Sequence, residues 1–115
     1  MLDTAKHITT VLTHPAILAV VTGGVYWELA DQEAEWPFVN FSFQGDKPIS
    51  KEGKREYNVF VRIFAESLTQ GATIAQEIHN NIKSNSNWYD RGNRSGYTDN
   101  EAKEAFIELT YNFKL

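Results

Sequence analysis

Three histidines are the first residues whose type suggests chemistry: His7, His14 and His79. Histidine titrates near neutrality and is a common metal ligand, so each is a candidate general base or ligand. None lies in a metal-binding motif. His7 and His14 are seven residues apart, but Pro15 ends any helix that would put them on one face. His79 falls at the edge of an apolar helical stripe. The expected role of all three is that of surface or boundary side chains, with a ligand or base as the alternative. A second candidate is the acidic cluster Glu28, Asp31, Glu33 and Glu35, which runs to Trp36 without a positive charge. It lacks the Asp-x-Asp-x-Asp-Gly spacing that wraps calcium, so a solvated acidic loop is expected in place of a metal site. Gly23-Gly24 has neither the third glycine nor the Lys/Ser pair of a phosphate cradle and reads as a turn. No hydrolase, zincin, Walker or dinucleotide motif occurs. The chain is therefore expected not to be an enzyme and to need no cofactor.

Aromatic residues offer a different chemistry. Trp27, Trp36 and Trp88-Tyr89 resemble stacking platforms, but base stacking normally comes with a basic groove, and the charges nearest to the first two are acidic. They are expected to be core or interface anchors. Phe60 and Phe64 flank Arg62 on the second face of a strong strand pattern, and Phe38 and Phe106 occupy comparable off-core positions. Two readings remain open: a second core layer under a helix, or a surface completed by another subunit, where aromatics and arginine are enriched.

The elements that position these residues follow from periodicity. Behind Asp3, Ala5, Ile8, Val11 and Leu12 have helical spacing, which predicts a helix over about residues 3–13. Pro15 then opens a short second helix through Val20. Val25 to Leu29 reads as a strand. Phe38 to Phe43 is a second strand with Val39, Phe41 and Phe43 on one face. Gln44 to Glu56 reads as a charged, mobile loop that orders only against a neighbour. Tyr57 to Ala65 is a strand with Tyr57, Val59, Val61 and Ile63 on one face. Capped by Ser67 or Thr69, a helix follows to about residue 83 with Ala72, Ile74, Ala75, Ile78 and Ile82 in its stripe. Asn85 to Asn100 is Asn/Ser/Gly-rich and reads as an irregular excursion or weak hairpin. Ile107, Leu109, Tyr111 and Phe113 alternate in a final strand.

This order predicts one α+β domain over residues 1–115, a mainly antiparallel sheet of about four strands packed by an N-terminal helix pair and one long helix. Val59, Val61, Ile63, Ile74, Ile78 and Ile107 should be buried together. The length of 115 residues, with 42% hydrophobic and 23% charged, is that of a globular domain. Zero cysteines exclude disulfides and thiolate catalysis and suit a reducing compartment. No apolar run has the length of a membrane span, and Asp3, Lys6 and His7 interrupt the place of a signal peptide. The net charge of −4 argues against a phosphate-gripping protein, and the four acids between Glu28 and Glu35 account for all of it. That segment is expected either to face a partner or a channel through which DNA slides without binding, or to be ordinary solvated surface.

With these features in place the chain resembles the small tail-completion, or tail-terminator, proteins of long-tailed bacteriophages and prophages. The matching residues are Gly23-Gly24-Val25-Tyr26 after the helical N-terminus, the strand Pro37-Phe38-Val39-Asn40-Phe41, and the passage from Tyr57-Asn58-Val59-Phe60-Val61-Arg62-Ile63-Phe64-Ala65 into Ala72, Ile74-Ala75 and Ile78. The resemblance implies a homo-oligomeric ring, often a hexamer, that caps the tail tube and docks the head connector, with no catalytic residues, specific nucleic-acid site or membrane. It would sit in the virion tail after assembly in the bacterial host cytoplasm. Residues proposed for subunit or partner contact are Phe38, Phe60, Arg62, Phe64, Phe106, Glu28, Asp31, Glu33 and Glu35. Two rivals stand beside this reading. One is a neck or head-completion protein. The other is a small enzyme or ligand-binding domain using a pocket between helix and sheet, with His79 or the acidic loop as its polar groups.

Overall fold

In the computed structural model, residues 2–28, 35–48, 55–85, 87–97 and 105–114 are described. The chain is an α+β fold in which three helices lie on one side of a five-stranded sheet. Helix α1 (Leu2–Leu12) buries Thr4, Ala5, Ile8 and Leu12, the stripe its spacing predicts. Helix α2 (Pro15–Val20) starts where the proline requires. His14 caps it: the ring Nδ1 accepts a hydrogen bond from the Ala16 backbone N–H at 3.1 Å.

Strand β1 (Val25–Trp27) pairs in parallel with β2 (Phe38–Pro48), which pairs antiparallel with β3 (Arg55–Ala65). Helix α3 (Leu68–Asn85) follows, capped by Ser67, whose Oγ accepts from the Gln70 N–H at 3.1 Å; Gln70 Oε1 in turn accepts from the Glu66 N–H. Strands β4 (Tyr89–Tyr97) and β5 (Ala105–Lys114) complete the sheet in the order β1-β2-β3-β5-β4.

The core lies between the helices and one face of this sheet. Val59, Val61, Ile63, Ile74 and Ile78 are at most 1% exposed and Ile107 is 7% exposed, so the group expected to be buried together is. Val39, Phe41, Leu109, Tyr111 and Phe113 extend it, with Ile8, Leu12, Ile17, Val21 and Ile82 opposite. Gly71 lets α3 approach β5: a Cβ there would sit 3.1 Å from Ile107 Cδ1.

Four departures from the sequence reading have physical causes. Part of Asn85 to Asn100 is neither irregular nor a hairpin of its own, because Tyr89–Tyr97 is a strand on β5. Its polar side chains carry no alternation, since one side borders a cleft and the other is open; the backbone ladder and the Arg94–Glu108 bridge hold it. Gln44 to Glu56 is not loop throughout. Gln44 pairs with Asn58, Gly45 with Tyr57 and Pro48 with Arg55 across a β2–β3 hairpin whose centre lies outside the described residues. Residues Glu108 and Asn112, which alternate with the core positions of β5 and would face water on a one-sided sheet, are only 8% and 7% exposed: Glu108 is met by Arg62 and Arg94, and Asn112 by Asn58. Finally, the sheet has five strands where about four were expected; it is mainly antiparallel, as expected, with β1 parallel to β2.

That parallel pairing depends on a close approach. Gly23 donates its N–H to the Pro37 carbonyl at 2.8 Å, and a Cβ on it would collide with the Glu35 carbonyl oxygen. The Val39 N–H bonds Gly24 O at 3.0 Å, and the Glu28 N–H bonds Phe41 O at 2.6 Å, fixing both ends of β1.

Candidate functional site: the open face of the sheet

Because successive strand residues point to opposite faces, the residues that alternate with the core positions stand together on the side away from the helices. Among the described residues no helix lies over this side. The register arranges it in rows. Phe38, Phe64 and Phe106 lie side by side across β2, β3 and β5, and Gly96 continues the row on β4. The Phe38 and Phe64 rings stack with centroids 5.0 Å apart. Trp36 meets both edge-on, at 5.1 Å and 5.9 Å. Gly96 gives Phe106 room: a Cβ there would lie 3.1 Å from the ring. The Arg94 guanidinium lies 6.0 Å from the centroid of the same ring.

The next row is polar: Asn40, Arg62, Glu108 and Arg94. Glu108 takes one arginine on each oxygen, Arg62 Nε donating to Oε2 at 2.8 Å and Arg94 Nε to Oε1 at 3.1 Å. Arg62 Nη1 also donates to Ser42 Oγ at 3.2 Å. Two cations on one shielded carboxylate tie three strands together through side chains. The Asn40 Oδ1 beside them is enclosed and has no hydrogen-bond partner among the described residues. Beyond lie Ser42, Phe60 and Thr110, and then Asn112, which donates to Asn58 Oδ1 at 3.0 Å.

Thus Phe38, Phe60, Arg62, Phe64 and Phe106 do share one face. All five are partly exposed, and the salt-bridge row separates Phe60 from the other aromatics. Glu28 and Glu35 are exposed at the β1 end of the sheet, Glu28 with a left-handed φ of 66°. Asp31 and Glu33 lie outside the described residues. Sequence reasoning missed Glu108, Arg94 and Ser42. Glu108 looked like one of several outward residues on β5, and Arg94 lay in a stretch without periodicity; only the cross-strand register joins them to Arg62.

The histidines have separate environments. His7 Nε2 accepts a hydrogen bond from the Trp88 indole N–H at 3.2 Å, and burial lowers its pKa, favouring the neutral ring. His79 borders a cleft of about 330 Å³ between α3 and β4–β5, with Gln76, Asp90, Asn93, Ser95 and Tyr111 among its lining residues. Its Nδ1 is 3.4 Å from the Tyr111 hydroxyl and 3.9 Å from Asp90 Oδ2. Burial first, and the Asp90 charge second, push the Tyr111 pKa up, so the phenol stays protonated at neutral pH. Among the described residues no group of three or more His, Asp or Glu is placed to hold a metal ion, and no helix is long and apolar enough to cross a membrane.

Fold and surface together define an α+β domain with helices on one side of the sheet and a bare aromatic-and-arginine face on the other. No family model matches the chain, and no curated protein matches it. Among solved structures, a chain from the virion of a native gene transfer agent particle shares the fold, with a TM-score of 0.62 over 85% of this chain and 82% of that one, at 11% identity.

Proposed function

We propose that this protein is a structural subunit of a phage-like virion, and within it a tail-terminator or tail-completion subunit that forms a homo-oligomeric ring capping the tail tube and offering a docking face to the head connector. The observation that carries this reading is the open sheet face. A row of partly exposed aromatics beside a pre-ordered Arg62–Glu108–Arg94 bridge is the composition of a protein interface, where aromatics and arginine supply most of the binding energy. The likeness of fold to a gene transfer agent virion chain supports the same class. The arginines of this face are occupied by Glu108, which favours a protein partner over phosphate.

A small ligand-binding or enzymatic role finds its support in the cleft beside His79. Its polar groups converge less closely than a reacting centre requires, since His79 stands 3.9 Å from Asp90. The core, by contrast, is filled and the sheet surface bare, which favours assembly.

The test is a deletion of the gene in a particle-producing strain, followed by electron microscopy. Unjoined heads and tails, restored by the wild-type gene but not by one encoding Phe64→Ser and Phe106→Ser, is the expected result. Heads that fail to join a neck while tails terminate normally would assign the chain to the neck, and unchanged particles would refute a structural role.

A further inference from the structure

The helix side of the sheet is not covered evenly. Helix α3 packs over β3 and β5, and Ala72, Ala75, Gln76 and His79, spaced to share one helix face, border the gap between α3 and β4. Two of these four are alanines, too short to close it, and the cleft of about 330 Å³ results. Its floor follows from the strand register. Asp90 stands opposite Tyr111, Asn93 opposite Leu109 and Ser95 opposite Ile107. Leu109 and Ile107 form a buried apolar bottom, while Asp90, Asn93 and Ser95 are exposed along the β4 rim. The stacked rings of His79 and Tyr111, with centroids 6.4 Å apart, stand at the Asp90 end.

Asp90 is the one carboxylate lining this cleft, and no lysine or arginine lines it. Its Oδ1 accepts the Gly92 N–H at 2.8 Å, which holds the carboxylate in place. Its Oδ2 has no hydrogen-bond partner among the described residues, His79 Nδ1 lying 3.9 Å away. Gln76 donates its amide N–H to Asn80 Oδ1 at 2.8 Å, so its carbonyl oxygen is the group left to accept, and Asn93 and Ser95 add further oxygens. Acceptors around one carboxylate, above an apolar floor, suit an ammonium group on a hydrocarbon stem. With Oδ1 engaged, the carboxylate offers a single oxygen, which fits the point charge of lysine better than the two-pronged fork of arginine. Lys83 borders the adjoining recess with Trp88 and Tyr89, beyond His79, so a cation reaches Asp90 from the Ser95 end, along Ile107 and Leu109. The cleft is open above the β4 rim, where a free small molecule would keep much of its surface in water; small-ligand sites enclose most of the ligand. A side chain carried on another protein's surface meets no such limit.

We infer that the cleft between α3 and β4 receives a lysine side chain of a partner protein, its methylenes lying over Ile107 and Leu109 beside Ala72 and Ala75 and its ammonium bonded to Asp90 Oδ2. The site is on the opposite side of the sheet from the aromatic row, so it gives the chain a second docking point. It stands whether or not the chain is a virion subunit.

The test is an NMR titration of the full chain with three probes: the peptide acetyl-Gly-Lys-Gly-amide, the same peptide with norleucine in place of lysine, and n-butylammonium. The lysine peptide is expected to give saturable shifts at the amides of Asp90, Asn93, Ser95 and Leu109. The norleucine peptide, which keeps the stem and loses the charge, is expected to bind at least about ten-fold more weakly. This comparison needs no variant. Asp90→Asn, which keeps an acceptor for the Gly92 N–H, is expected to abolish the difference between the two peptides, and Ala75→Leu, which fills the cleft from the helix side, to weaken both. Melting curves within a few degrees of wild type check that each variant is folded. Equal binding of the two peptides, shifts that do not saturate or fall elsewhere, or an undiminished preference for lysine in Asp90→Asn would overturn the inference. n-Butylammonium binding as tightly as the lysine peptide would assign the cleft to free amines and overturn the partner reading. None of these outcomes bears on the open face, so the virion reading is tested apart from them.

Discussion

At the scale of single residues, a buried side chain's partner decides what it does. His7 sits under Trp88 and against Phe113, ring centroids 5.0 Å apart for the latter, and accepts the indole proton only when its Nε2 is unprotonated. Its folded pKa lies below the unfolded value near 6.5, so the fold favours the neutral form. Its contribution to stability is therefore present above about pH 6.5 and is lost as pH falls from there through the folded pKa. A melting series from pH 7.5 to 5 should show the wild type losing stability over that window, and His7→Gln, whose amide oxygen still accepts from Trp88, losing less. Equal slopes would mean that His7 does not couple to folding. Arg62 gives a second case. Replacing it by Met leaves the shielded Glu108 with Arg94 alone and should cost about 1–3 kcal/mol in a urea titration, the range for hydrogen bonds to charged groups. Ile78→Ala, from the centre of the filled core, should cost about 2–5 kcal/mol.

At the scale of elements, close approach matters more than propensity. Gly23 is where the chain after the acidic segment returns against the end of α2, and any Cβ there meets the backbone carbonyls of Glu35 and Pro37. Gly23→Ala is expected to lower stability by about 1–3 kcal/mol, because backbone cannot move aside as a flexible side chain can; a neutral substitution would show that the β1–β2 junction is looser than described. Much of this level was legible in sequence. The stripes of α1 and α3 and the alternation of β3 and β5 are periodic because each has a single apolar face, and these four predicted the core correctly. Strand β4 was illegible for the same reason in reverse: with Asp90, Asn93 and Ser95 facing a cleft and Gly92 and Gly96 on the other side, it has no apolar face to display. The aromatic residues of the open face could be picked out singly, but their grouping into one row with Trp36, and the double bridge on Glu108, exist only through the pairing of β3 with both β2 and β5.

At the scale of the whole molecule, the asymmetry of the sheet is the central fact. One face is covered by three helices except at the cleft between α3 and β4, while the other keeps Phe38, Phe60, Phe64 and Phe106 partly exposed around a salt bridge. A domain of this size gains stability from burying apolar surface, and the partly open aromatic row is the surface that the proposed association would cover. The acidic segment from Glu28 to Glu35 bears on the same question. Neutralising Asp31, Glu33 and Glu35 together is expected to change stability by less than about 1 kcal/mol, the range for charges without a buried partner, while weakening docking or slowing DNA passage in assembled particles; normal assembly and ejection would return the segment to a plain acidic loop. The most direct measurement of the central claim is quantitative mass spectrometry of purified particles from a producing strain. The account predicts the chain in every particle at a small fixed copy number, that of one ring, rising and falling with the tail proteins. Its absence from complete, functional particles would contradict it.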